Sequence, residues 1–126
     1  MTDVNEIIKN YFVGKYLLPT DNIRQQSDAI VKNYIRKMKA NEAVYMLHVA
    51  TKDKSRIGQV RLVKDLVKSN TPIYLIDGHH RFIAWLSNSD YPLQAKFIDY
   101  EPYERSVSEL YDYLDRYEYF ENFANI

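Results

Sequence analysis

The densest group of ionisable side chains in the chain is Asp77-Gly78-His79-His80-Arg81, which directly follows the apolar run Ile73-Tyr74-Leu75-Ile76. A short continuous apolar run predicts a strand buried on both faces. His79 to Leu86 predicts a helix with Phe82, Ile83, Trp85 and Leu86 facing inward. The five residues therefore occupy a strand-to-helix turn. The first amides of a helix lack intrahelical partners and carry the positive end of its dipole, which suits an anion. Gly78 tolerates positive φ and lets a ligand approach the backbone closely. Arg81 can grip phosphate oxygens with its planar fork. His79 and His80 add donors or acid–base groups, and Asp77 can orient a histidine, act as a base or hold magnesium. Asp77, His79 and His80 are thus the candidate catalytic residues, and Gly78, His79, His80 and Arg81 the candidate phosphate-binding residues. The plainer alternative is that Asp77 only caps the helix and the histidines are only solvated.

The same segment offers a second chemistry. Asp77, His79 and His80, joined by His48 from a neighbouring strand, supply three or four nitrogen and oxygen ligands of the kind zinc accepts. A hydrogen-bonded strand histidine is the simpler reading of His48.

The elements that must position these residues follow from periodicity and breakers. A first helix is expected at about 3–12, ended by Gly14. Ser27 is a candidate N-cap for a helix burying Ile30, Val31, Tyr34, Ile35 and Met38, with Lys32, Arg36, Lys37 and Lys39 solvated. Asn41-Glu42 interrupts that pattern, and Ala43 to Thr51 predicts a strand. After a charged loop at Lys52–Arg56, the spacing of Ile57, Val60, Val63, Leu66 and Val67 predicts a second amphipathic helix to about Lys68. Ser69-Asn70-Thr71-Pro72 marks the turn before the apolar strand. Leu93 to Ile98 predicts another strand, and an acidic, Tyr-rich helix is expected at about 104–120. The order α-α-β-α-β-α-β-α predicts an α+β fold, a small mixed sheet with flanking helices.

Composition narrows the functional classes. The 126 residues suit one domain, and 46% apolar content allows a real core. Cysteine is absent, which excludes disulfides, thiolate zinc sites and a cysteine nucleophile. The N-terminal residues lack an apolar signal stretch, and no run is long enough to span a bilayer, so a cytoplasmic protein without membrane association is expected. Net charge is zero, but residues 1–97 hold 15 Lys/Arg against 9 Asp/Glu while residues 98–126 hold 2 against 8. The acidic end carries six tyrosines: Tyr100, Tyr103, Tyr111, Tyr113, Tyr117 and Tyr119. It reads either as a solvated acidic helix or as a face for a basic partner, with Asp112, Asp115 and Glu118 as candidate partner-binding residues.

The run PIYLIDGHHRFIAWL, Pro72 to Leu86, resembles the ParB/sulfiredoxin superfamily, in which an apolar strand leads through a Gly-x-x-Arg-type turn into a helix. ParB proteins read roughly Gly-Glu-Arg-Arg there, sulfiredoxins Gly-Cys-His-Arg, and related free-serine kinases Asp-Gly-His-Thr-Arg, to which Asp77–Arg81 is most similar. Arg24-Gln25-Gln26 resembles the family's first box, and the resemblance spans roughly Thr20 to Tyr100. It implies a ParB/sulfiredoxin-like core with nucleotide phosphates over the helix N-terminus, Arg24 supporting Gly78, His79, His80 and Arg81, and Mg2+ accompanying the nucleotide. His79 stands where sulfiredoxins have cysteine, so their repair chemistry cannot occur. Neither Asp21 nor Asp28 matches the kinases' carboxylate base well. The helix-turn-helix module of ParB proteins has no room in this length, and Lys52 to Thr71 is longer than the ParB pattern.

Two functional expectations result. One is a nucleotide- or phosphate-binding domain, with phosphoryl transfer, nucleotide hydrolysis or nuclease activity as its chemistry. The other is a phage or mobile-element inhibitor of the anti-CRISPR or anti-restriction type. Such a protein would bind a basic, nucleic-acid-handling host protein, and the motif would then be structural or metal-binding.

Overall fold

The structure is a computed structural model that describes residues 17–19, 27–66 and 73–101. The expected helices at 3–12 and 104–120 lie outside the described residues, as do Arg24, Asp112, Asp115 and Glu118. The described chain runs β1 (Leu17–Pro19), α1 (Asp28–Lys39), β2 (Leu47–Ala50), a 3-10 turn (Lys54–Arg56), β3 (Val60–Leu62), α2 (Val63–Leu66), β4 (Ile73–Asp77), α3 (His79–Leu86) and β5 (Gln94–Phe97). The strands form one mixed sheet in the order β1-β4-β2-β5-β3. β1 runs parallel to β4 and β2 parallel to β5, while β4 is antiparallel to β2 and β3 antiparallel to β5. This is the α+β class with a mixed sheet that the element order predicts.

Helix α1 forms where its capping chemistry dictates. The Ser27 side chain accepts from the Ile30 amide, Asp28 lies in the first turn, and Arg36, Lys37 and Lys39 lie in the last, each complementing the helix dipole. Asn41, at φ 57°, turns the chain out, and the Glu42 amide returns to the Lys37 carbonyl at 2.9 Å. Val31, Ile35 and Met38 are buried, as the stripe predicts. Ile30 departs from it: it is 44% exposed, and Tyr34 is only half-buried, because this edge of α1 faces an opening rather than the sheet.

β4 carries Ile73, Tyr74 and Leu75, all buried, which matches its unbroken apolar run. Helix α3 buries His79, Phe82, Ile83, Ala84, Trp85 and Leu86, which leaves His80 and Arg81 half-buried. These residues join Val31, Ile35, Leu47, Val49, Ala95 and Phe97 in one core. The Trp85 indole donates to the Tyr91 carbonyl at 3.0 Å, which satisfies its single polar group inside that core.

Two elements differ from the sequence expectation. The strand expected at Ala43–Thr51 is confined to Leu47–Ala50. The Tyr91 hydroxyl accepts from the Val44 amide at 3.0 Å and donates to the Glu42 carbonyl at 2.6 Å, so those backbone groups bond a side chain instead of a neighbouring strand. The helix expected over Ile57–Lys68 is replaced by β3 and the single turn α2. Gly58, at φ 89°, redirects the chain, and its amide bonds the Phe97 carbonyl at 2.8 Å, which sets Val60–Leu62 against β5. Val63 and Leu66 are buried, but Ile57 and Val60 are 43% and 36% exposed, so no continuous apolar stripe exists. β-branched residues at a spacing of three fitted both a helix face and a strand followed by a turn, and the pairing with β5 decided between them.

Candidate functional site

β4 ends at Asp77 and α3 begins at His79, so Gly78 alone makes the turn, at φ 107°. Its place is enforced by packing as well as by dihedral angle. A Cβ there would lie 2.5 Å from Leu47 Cδ2, 2.7 Å from Arg81 Nη2 and 3.0 Å from Arg81 Nε. The absent side chain is therefore what lets the Arg81 guanidinium settle against the backbone of the turn.

Gly78 is also the N-cap of α3, so no side chain caps this helix, and no acidic residue lies in its first turn. Helix starts ordinarily gather such groups to offset the dipole. α1, with Ser27 and Asp28, does so; α3 instead places two histidines and an arginine at its positive end. Asp77 does not cap α3. Its Oδ2 lies 3.5 Å from Arg81 Nη2, a long and weak pair whose carboxylate is 67% exposed.

Over this turn lies a concavity of about 340 Å³ lined by Asp77, Gly78, His79, His80 and Arg81 together with Ile30 and Tyr34 of α1. His79 is 6% exposed and forms the deep part of the wall. His80 Nε2 accepts the Ser27 backbone N–H at 3.1 Å. A ring nitrogen that accepts is unprotonated, so in this arrangement the neutral imidazole carries its proton on Nδ1. The bond also ties the start of α1 to the start of α3.

Arg81 is largely enclosed, its side chain 12% exposed. The guanidinium carbon lies 5.5 Å from the centre of the Tyr45 ring, and Nε is buried with no hydrogen-bond partner among the described residues. His48 is the cross-strand partner of Asp77. The β2–β4 register slips by one residue between His48 and Val49, and this bulge sets Asp77 beside His48. The His48 ring meets Tyr45 edge-on at 5.7 Å.

The structure thus brings together Asp77, Gly78, His79, His80 and Arg81 at one opening, with His48 alongside Asp77 on the sheet. Among the described residues no three histidine or carboxylate side chains are gathered closely enough to hold a metal ion. The zinc set of Asp77, His79, His80 and His48 is therefore not preassembled, and one nitrogen of His80 is already engaged with Ser27. Ile30, Tyr34 and Tyr45 were not singled out as site residues by the sequence. The exposed position of Ile30 on an otherwise buried stripe is a tertiary fact, and Tyr45 read simply as part of a strand.

Away from the site, two exposed groups are perturbed by local bonding. Hydrogen bonds from the Ser55 hydroxyl and amide hold the Asp53 carboxyl below its ordinary 3.8, helped by Arg56. Glu101, and after it Asp99, hold the Lys54 ammonium above its ordinary 10.5. Lys54 Nζ lies 3.0 Å from Glu101 and 3.5 Å from Asp99, which clips the 3-10 turn to the chain leaving β5.

Fold and site define a small α+β domain with a concavity at a strand-to-helix turn, lined by Asp77, His79, His80 and Arg81. No protein-family model, curated protein or solved structure matches the chain. Among the described residues no helix is long and apolar enough to cross a membrane.

Proposed function

We infer that this chain is a nucleotide- or phosphate-binding domain of ParB/sulfiredoxin type, with phosphate received over the first turn of α3. The observation that carries the reading is the concavity over Gly78–Arg81. There an uncapped helix start, without acidic residues in its first turn, lines an opening together with the largely enclosed Arg81. The positive end of the helix dipole beside Arg81 favours negative charge, which Asp77 at 3.5 Å meets only weakly, and a phosphate would add to it. Arg81 is the phosphate clamp, since among the described residues its one carboxylate contact is the weak pair with Asp77. Asp77 is the exposed group placed to hold Mg2+ or to act as base in phosphoryl transfer or hydrolysis. Such chemistry needs mainly positioned donors and a metal. His79 and His80 contribute from the wall of the same opening.

The test is thermal unfolding with ATP, CTP and inorganic pyrophosphate, each with and without Mg2+. Ligand at about 100 times its dissociation constant stabilises the fold by about 2.7 kcal/mol. The shift is expected for wild type and lost in Arg81→Ala. Absence of a shift with every one of these ligands would sink the reading.

A further inference from the structure

Strand β3 is an edge of the sheet, separated from β4 and the Gly78 turn by β5 and β2. Its bonds to β5 show which backbone groups face outward. The Gly58 amide bonds the Phe97 carbonyl at 2.8 Å, and the Phe97 amide bonds the Gln59 carbonyl at 2.9 Å, so two residues here oppose one of β5. With Gly58 at φ 89° this is a glycine bulge, and it pins the register. At the other end the Val63 amide bonds the Leu93 carbonyl at 2.9 Å. Bonded and non-bonded pairs alternate along an antiparallel ladder. Val60 and Leu62, opposite Lys96 and Gln94, therefore turn their amides away from β5. Arg61 agrees with this direction: its Nη1 donates to the Val60 carbonyl at 3.0 Å, from the outer side of the strand. The edge thus presents two N–H donors about 7 Å apart, the repeat of an added strand. Its surroundings are apolar and cationic. Ile57 and Val60 are large apolar side chains left exposed. The charged residues of β3, α2 and β5 are Arg61, Lys64 and Lys96 against Asp65 alone, and all four are exposed.

We propose that the outer edge of β3 docks an acidic, extended peptide segment of a partner protein, which adds to the sheet as a further strand. Strand addition draws affinity from main-chain bonds and specificity from alternate side chains. Here the Val60 and Leu62 amides are the main-chain donors, and carboxylates on the peptide meet Arg61, Lys64 and Lys96. A peptide amide replaces Arg61 at the Val60 carbonyl, which frees the guanidinium for those carboxylates. Charge also decides against a second copy of this chain as the occupant, because pairing β3 with β3 sets cations against cations. The proposal does not depend on phosphate binding at the start of α3, so either can fail alone.

Two short blocked peptides serve as probes, one alternating Glu and Val and the other Lys and Val, titrated into the full 15N-labelled chain and followed by NMR. The glutamate peptide is expected to shift the Val60 and Leu62 amide signals and slow their hydrogen exchange, and to bind about tenfold more tightly than the lysine peptide. Val60→Pro removes one outward N–H where an edge strand tolerates proline, and weakens the glutamate peptide about tenfold. Lys96→Glu, at an exposed position, weakens the glutamate peptide and strengthens the lysine one, and it carries the test if the proline variant does not fold. Three results would overturn the proposal. Val60 and Leu62 amides unmoved by millimolar glutamate peptide mean that the edge takes no strand. Equal affinity for the two peptides removes the acidic partner. Self-association of wild type that Val60→Pro abolishes makes a second copy the occupant.

Discussion

Replacing Gly78 with alanine strikes the turn on which the whole site depends, and its cost can be worked from geometry. At φ 107° an L residue is outside the favoured backbone regions, a penalty of about 1–2 kcal/mol. The new methyl would also sit 2.5 Å from Leu47 Cδ2, inside the core, where overpacking costs about 1–3 kcal/mol. Its contacts with Arg81 at 2.7 and 3.0 Å are relieved by swinging the guanidinium away, which costs the site its clamp more than it costs the fold stability. The expected loss is therefore about 2–5 kcal/mol, a large part of the roughly 5–15 kcal/mol available to a domain. Gly58→Ala is the internal control: φ is 89°, but nothing lies within 4 Å of the added methyl, so only the backbone penalty of about 1–2 kcal/mol applies. Urea unfolding of wild type and both variants reads the two numbers. For a typical slope of about 1–3 kcal/mol/M, Gly78→Ala lowers the midpoint by on the order of 1–2 M. Equal losses at the two glycines would refute the packing half of the argument. A loss below about 1 kcal/mol at Gly78 would refute the account of the turn altogether.

Two further outcomes follow from contacts away from the site. Tyr91→Phe leaves the Val44 amide and Glu42 carbonyl without their shared hydroxyl and is expected to destabilise by about 1–3 kcal/mol in thermal unfolding, with faster hydrogen exchange at Val44; an unchanged Tm would contradict the pinning role. Lys54 is held above its ordinary 10.5, so its ion pairs stabilise fully below that value and are lost as pH rises through the raised one. The stability difference between wild type and Lys54→Met should accordingly shrink above pH 10.5, and also in about 1 M salt, where the screening length is about 3 Å; a difference that grew in either condition would remove the pairs from the account.

Much of the architecture was legible because local signals agreed with the tertiary demand. Ser27, the stripe of Val31, Ile35 and Met38, and Asn41 mark both ends and the buried side of α1. The unbroken apolar run before Asp77 marks β4, and Gly78 marks its exit. The segment around Val60 was not legible, because its spacing suits two structures and only pairing with β5 separates them. The length of β2 was hidden for a similar reason: a tyrosine 47 residues away takes the amide that the strand would have used.

The chain alone determined that five charge-bearing or flexible residues sit together at a strand-to-helix turn, since adjacency in sequence is adjacency in space over so short a span. It determined as well that the helix beyond them is buried, because almost every side chain from Phe82 to Leu86 is apolar. Only the tertiary structure decided that this turn opens into a concavity walled by Ile30 and Tyr34. It also decided that Asp77 leans on Arg81 instead of capping α3, and that Arg81 lies against Tyr45. Those relations join residues more than thirty positions apart or depend on which neighbour wins a shared charge. The packing of α1 against α3 and the bulge between β2 and β4 set them, and neither feature leaves a local signature in the sequence.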